Sequence, residues 1–308
     1  MANPLWRLIL NGKSAADDLV RAAVTTLREE GARLEVRVSW ERGDATRYVA
    51  EAITDGAGCV IGGGGDGTLG EVATALAGRE EKVEALPSLA VLPLGTANDF
   101  ATAAGIPVDP LAALRLVRDT TPRPIDLLHV DADGADHWCI NLASGGFGTE
   151  VTVETDEGLK KLLGGLAYFV TGMARMGRIE PVTAHVHGDG FKWDGALLAL
   201  GIGNGRQAGG GQVLCPDALV NDGMLDLTVI PELRGELGTT VATLLKEGRL
   251  AALDQVAERK RLHEVTVESP NGLVLNLDGE PVQAARFRIA CTPGRVRVHL
   301  PAGCELLQ

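Results

Sequence analysis

Cys59-Val60-Ile61-Gly62-Gly63-Gly64-Gly65-Asp66-Gly67-Thr68-Leu69-Gly70-Glu71 is the stretch that decides the fold. An apolar run leads into consecutive glycines, and a helical pattern, Leu69 to Leu76, leads out. Glycine has no Cβ, so the backbone can turn sharply and approach an anion closely. The helix that follows offers free N–H groups and the positive end of its dipole. Strand, glycine turn and helix start together describe a phosphate cradle. Asp66 is out of character there, because a carboxylate repels phosphate unless a cation lies between them. The stretch points to a nucleotide phosphate with a divalent metal. The blander reading, a tight strand-to-helix turn with no ligand, makes poor use of so many glycines.

Outward from this turn the pattern alternates. Trp6 to Leu10 reads as a buried strand, Ala15 to Glu30 as a helix stopped by Gly31, and Leu34 to Val38 as a strand. Ala45 to Thr54 is a helix with Asp44 as its N-cap, and Leu89 to Leu92 is a fourth strand. Parallel strands need such crossovers, so the order predicts a doubly wound α/β domain. Ligands bind at the carboxyl ends of its strands. The fourth strand ends in a second unusual turn, Pro93-Leu94-Gly95-Thr96-Ala97-Asn98-Asp99-Phe100, rich in turn and cap formers. Short helices follow at Phe100 to Ala104 and Pro110 to Asp119, then Thr121-Pro122-Arg123-Pro124 as a linker and Ile125 to Val130 as a strand.

Beyond the linker the chain changes character. Hairpin signals recur at Asp133-Gly134, Asp189-Gly190 and Asp222-Gly223, interrupted by helical segments over Glu157 to Arg178 and near Gly235 to Glu247. The second half therefore reads as an antiparallel, β-rich, sandwich-like domain. The expected boundaries are 1–125 and 126–298, with a C-terminal segment, about 299–308, able to pack back onto the first domain.

Bulk properties narrow the function. The 308 residues carry a net charge of −12, which argues against general nucleic-acid binding. No apolar run approaches the ~20 residues of a membrane span, and the N-terminus lacks a signal-peptide pattern, so a cytoplasmic protein is expected. Five scattered cysteines form no CxxC pair and read as reduced, mostly buried thiols.

Several constellations can carry chemistry. Gly65 to Gly70 satisfies GxGxxG, but the acids at Glu80, Glu81 and Glu84 precede the next strand, and no Gly-Lys-Ser/Thr of a Walker loop follows. Asp66, Asp99 and Asp126 lie at strand edges and together can hold hydrated Mg²⁺ against ATP phosphates; read separately they are turn former, cap and edge charge. Asn276-Leu277-Asp278-Gly279-Glu280 sets two carboxylates about a glycine, as a base and its orienting partner or as a plain hairpin turn. Asp222, with main-chain carbonyls of Leu219 to Met224, can bind a cation or form a simple turn. The glycine-dense Gly201 to Gly211 suits a close ligand approach or a mobile loop. His185 and His187 share a strand face, and with no third ligand they read as an exposed surface rather than zinc. Lys160 to Arg178 mixes apolar and basic residues as an interfacial helix would, or as a core helix would.

In this order the motifs resemble the diacylglycerol-kinase-like lipid kinases, above all the bacterial YegS type. The resemblance runs through Leu10 to Ser14, Trp40 to Asp44, Gly63 to Thr68, Leu92 to Phe100, Gly145 to Thr149, Gly201 to Gly211, Leu214 to Pro216, Asn221 to Gly223 and Leu277 to Pro281. It implies an NAD-kinase-like first domain and transfer of the γ-phosphate of ATP to a lipid hydroxyl, with transient contact at a membrane surface. ATP would be contacted by Ser39, by Gly65, Asp66, Gly67, Thr68, Leu69, Gly70 and Glu71, and by Thr96. A structural Mg²⁺, or Ca²⁺ in its place, would sit at Leu219, Asp222 and Met224. The proton acceptor would be Glu280, with Asp278 the alternative. One departure is Gly70, where the family often has Asn. NAD kinases share the Gly-Gly-Asp-Gly-Thr motif, so a kinase of a soluble substrate such as NAD is the competing reading, and a non-catalytic nucleotide or metal sensor the third.

Overall fold

The computed structural model describes residues 3–145, 182–232 and 256–308. The first half contains β1 (Leu5–Asn11), α1 (Asp18–Glu29), β2 (Arg33–Ser39), α2 (Asp44–Thr54), β3 (Cys59–Gly64), α3 (Asp66–Ala77), β4 (Ser88–Pro93), α4 (Asp99–Ala103) and α5 (Pro110–Asp119). Its strands lie parallel in the order β4-β3-β1-β2. Because β1 sits between β2 and β3, the chain reverses direction across the sheet after β2. Right-handed crossovers then put α1 and α2 on opposite faces. Helix α3 joins α2, and α5 joins α1. Leu8, Ile9, Val60, Ile61, Leu89 and Leu92 are fully buried between these layers, which is why β3 and β4 read as unbroken apolar runs. This is the doubly wound α/β domain that the alternation predicts.

The second half is antiparallel: β5 (Arg123–Ala132), β6 (Ala135–Cys139), β7 (Leu142–Gly145), β8 (Val182–Gly188), β9 (Phe191–Gly203), β10 (Gln207–Ala208), β11 (Gln212–Val213), β12 (Leu225–Pro231), β13 (Glu258–Leu262), β14 (Glu264–Leu277) and β15 (Glu280–Val298). The long strands β9 and β14 each pair with β8 at one end and β7 at the other, which curls the sheet round its own core. That core contains Leu128, Val186, Leu200, Ile202, Val265, Leu275 and Phe287. The segment read as a linker is different in the structure. Strand β5 already begins at Arg123, because Arg123 and Pro124 pair with Val298 and Arg297 of β15. Ile125 and Leu127 belong to the first core, Leu128 and Val130 to the second, so one strand crosses between them. Strand β15 also meets β4 in parallel at Val298 and Leu89. The last residues return with it, burying Leu300, Cys304 and Leu306 in the first core.

His299 locks this return. Its Nδ1 lies 3.1 Å from Thr120 Oγ1 and its Nε2 3.0 Å from Ser88 Oγ. Burial pushes the imidazole down from 6.5 to about 4. A folded value below the unfolded one means the stabilisation is complete above pH 6.5 and is lost as pH falls towards 4. Urea melts of the wild type and His299→Gln should therefore converge by roughly 2–3 kcal/mol between pH 7 and pH 4. A pH-independent difference would show that the ring does not titrate with folding.

The helical segments expected over Glu157 to Arg178 and near Gly235 to Glu247, the candidate interfacial stretch within the former, and Gly146 to Thr149 lie outside the described residues. Among the described residues no helix is long and apolar enough to cross a membrane.

Candidate active site

At the carboxyl edge of the parallel sheet, β3 and β4 end side by side, with Gly64 paired to Pro93 and Leu94 N donating to Gly64 O at 2.8 Å. Their two turns then cross in contact. A Cβ on Gly95 would stand 2.4 Å from Gly65 Cα, so the crossing requires glycine at 95 and leaves little room at 65. Asn98, left-handed at φ 51°, clips the second turn through both its amide groups to Gly95. Asp66 Oδ1 accepts from Phe100 N at 3.2 Å and so ties the Thr96 turn to the glycine turn. On the other side, Asn11 Nδ2 donates to Thr68 Oγ1 at 3.4 Å, and Ser39 lies opposite Asn11 in the sheet with its hydroxyl donating to Leu10 O. Ser39, the 65–71 run and Thr96 thus share one edge of the sheet.

The second domain brings its own turn to this edge. Asp278 and Gly279 take left-handed conformations at φ 52° and 101°, and Asn276 Oδ1 accepts from Gly279 N at 2.7 Å. A Cβ on Gly279 would lie 4.0 Å from Gly67 N, so the two turns touch across the domains. The paired carboxylates then part company. Asp278 is buried and accepts from Ile140 N at 2.7 Å, Asn141 N at 3.0 Å, Leu142 N at 3.2 Å and the Cys139 thiol at 3.2 Å. Burial pushes its carboxyl up, and those donors pull it back. Glu280 is instead half-exposed and reaches Arg42 Nη2 at 3.5 Å.

Between the domains lies a cleft of about 420 Å³, lined by Arg42, Gly67, Gly70, Glu71, Trp138 and Glu280 among others. Gly70 packs on the buried aspartate: a Cβ there would stand 3.1 Å from Asp278 Cβ, so this close contact takes the place of a side chain. Glu71 is partly buried in the cleft wall. Burial pushes its carboxyl up, the neighbouring Glu280 pushes it the same way, and Arg42 opposes them. Trp138 forms part of the wall, with its ring 4.8 Å from that of His129 and 5.6 Å from the Arg295 guanidinium.

The proposed metal ligands are placed differently from one another. Among the described residues no three acidic, histidine or cysteine side chains converge on one point, so Asp66, Asp99 and Asp126 do not form a single cluster. Both oxygens of Asp99 accept from the backbone of Gly210 and Gly211, at 2.9 and 2.6 Å. Those of Asp126 accept from Gly223 N and Gly294 N, each at 2.7 Å. The two aspartates fasten the glycine-dense loop and the Asn221–Gly223 turn to the rest of the molecule. Asp222 accepts from Met224 N at 2.9 Å and lies beside the Arg261 guanidinium. Asp66 is bonded through Oδ1 alone, to Phe100 N, and precedes Gly67 of the cleft lining, so of the three it is the carboxylate that could hold Mg²⁺ with phosphate oxygens and water. Trp138 lies in none of the motifs, and Arg42, within the Trp40 to Asp44 motif, carries no assigned role in the sequence, because only the fold brings the two to the cleft.

A parallel α/β domain whose glycine–aspartate turn meets a carboxylate from a β sandwich is the architecture of a two-domain kinase. Residues 6–130 match the diacylglycerol kinase catalytic domain, and residues 141–300 match the YegS C-terminal NAD kinase beta sandwich-like domain. The chain is 64% identical to the "Probable lipid kinase YegS-like" of Stenotrophomonas maltophilia (strain K279a), over 100% of this chain and 99% of that one. Its counterpart of that name in Pseudomonas aeruginosa (strain PAO1) is 51% identical, over 98% and 96%. The crystal structure of a diacylglycerol kinase from Bacillus anthracis strain Sterne shares the fold, with a TM-score of 0.72 at 20% identity over 99% of each chain. A second structure from that organism reaches a TM-score of 0.78 at 23% identity, over 99% of this chain and 97% of the other. The chain belongs to the YegS-like lipid kinases of the diacylglycerol kinase family.

Proposed function

We propose that the protein transfers the γ-phosphate of ATP to the hydroxyl of a lipid held at the cleft, with Glu280 as proton acceptor. The observation that carries this reading is the meeting of Gly67 and Glu280 in one cleft, each delivered by a different domain. ATP would lie along Ser39, the Gly65 to Glu71 run and Thr96, its phosphates on the glycine turn and the start of α3. The lipid oxygen attacks the γ-phosphorus, its proton passes to Glu280, and the bond to the ADP oxygen breaks. Positioning and electrostatics supply most of the rate. Asp66 would hold Mg²⁺, which would offset negative charge on the phosphates. Asp278 holds the turn rather than the proton. The domains divide near residue 125, and the enzyme visits the membrane from the cytoplasmic side, where ATP is found.

Transfer is tested by mixing the purified protein with MgATP and vesicles of a total lipid extract, and looking for lipids heavier by one phosphate. Asp66→Ala tests the nucleotide half. It should weaken Mg²⁺-dependent ATP binding at least tenfold in calorimetry while the protein still melts cooperatively. Unchanged affinity for ATP and Mg²⁺ would remove Asp66 from the site.

A further inference from the structure

Neither the glycine turn, from Gly58 to Gly78, nor the Thr96 turn, from Pro93 to Phe100, contains lysine or arginine, and Lys13, in the turn after β1, is not among the residues that line the cleft. Asp66, Glu71 and Glu280 make that region acidic. A phosphoryl group in transfer spreads negative charge over its oxygens and needs cations beside it. Arg42 is the one lysine or arginine among the described residues that line the cleft.

Its setting suits a moving arm on a fixed base. The buried Asp44 accepts from Trp40 N at 2.7 Å and Glu41 N at 3.2 Å, which closes the loop onto the start of α2. Asp44 therefore pins the preceding loop instead of capping its own helix. Gly43 makes the turn at φ 91°. The Arg42 side chain beyond this base is 93% exposed, and its contact with Glu280 is long, at 3.5 Å. Exposed pairs of this kind contribute little to stability, so leaving Glu280 costs little.

We propose that Arg42 is a catalytic residue that leaves Glu280 when ATP binds and contacts the γ-phosphate. One movement then neutralises the transferring group and frees Glu280 for the acceptor's proton. No bond forms to Arg42: the new bond joins phosphorus to the acceptor oxygen, the bond to ADP breaks, and Glu280 takes the proton. The inference rests on the kinase reading above, but its first test needs no acceptor. Calorimetry compares β,γ-imido-ATP with ADP on the wild type, Arg42→Ala and Arg42→Lys. Arg42→Ala should lose at least tenfold in affinity for the imido nucleotide and less than threefold for ADP, with an unchanged melting temperature. In lipid phosphorylation its kcat should fall roughly 10²–10⁴-fold. Arg42→Lys should recover part of the loss, as should guanidinium ion added to Arg42→Ala. An unchanged ratio of imido-ATP to ADP affinity, or a kcat within threefold of wild type, overturns the proposal and leaves an ordinary surface ion pair. A wild type that phosphorylates no lipid would instead defeat the kinase reading, with the nucleotide ratio still deciding Arg42's contact.

Discussion

Glu280→Gln should lower lipid phosphorylation by roughly 10²–10⁴-fold, the usual range for loss of a positioned proton acceptor. ATP affinity and melting temperature should stay near wild type. The reasons are local. Glu280 begins β15, half-exposed in the cleft, and its contact with Arg42 is long and solvated, so little of the fold depends on it. Glutamine keeps the shape but cannot accept the proton. The loss should therefore appear in kcat, with KM for ATP little changed. A variant retaining full transfer would exclude Glu280 as the base.

Asp278→Ala should fail in another way, through the fold. The carboxylate satisfies three backbone N–H groups, of Ile140, Asn141 and Leu142, and the Cys139 thiol. Deleting it strands those donors in a buried place, at about 1–3 kcal/mol for each backbone group. A loss of at least about 3 kcal/mol in urea unfolding is expected, with a melting temperature several degrees lower. Asp278→Asn should fall between, since an amide offers one acceptor oxygen where the carboxylate offers two. Activity should decline with stability, because the turn that Asp278 holds is the turn that presents Glu280. Full stability with abolished transfer would instead mark Asp278 as the base.

These two carboxylates show what could be read in the sequence and what could not. Asp278-Gly279-Glu280 is legible as a pair on a turn, but spacing says nothing about burial. Only the strand pairing that lays Cys139 to Leu142 against Asp278 separates anchor from base. The glycine turn was legible because its strand, bend and helix are contiguous. Asp99 and Asp126 were not, since their partners, Gly210, Gly211, Gly223 and Gly294, lie about a hundred residues or more away. Arg123 and Pro124 resemble a linker for a similar reason: the strand that recruits them, at Arg297 and Val298, arrives near the end of the chain.

In the proposed reaction the cleft joins ATP to a lipid hydroxyl. Its most direct test is to incubate the protein with γ-labelled ATP and Mg²⁺ in three parallel reactions, containing vesicles of a mixed lipid extract, NAD, or no acceptor. Label extracted into the organic phase from the first reaction alone is the predicted result. Label in NADP, or in free phosphate to the same extent in all three, would contradict it.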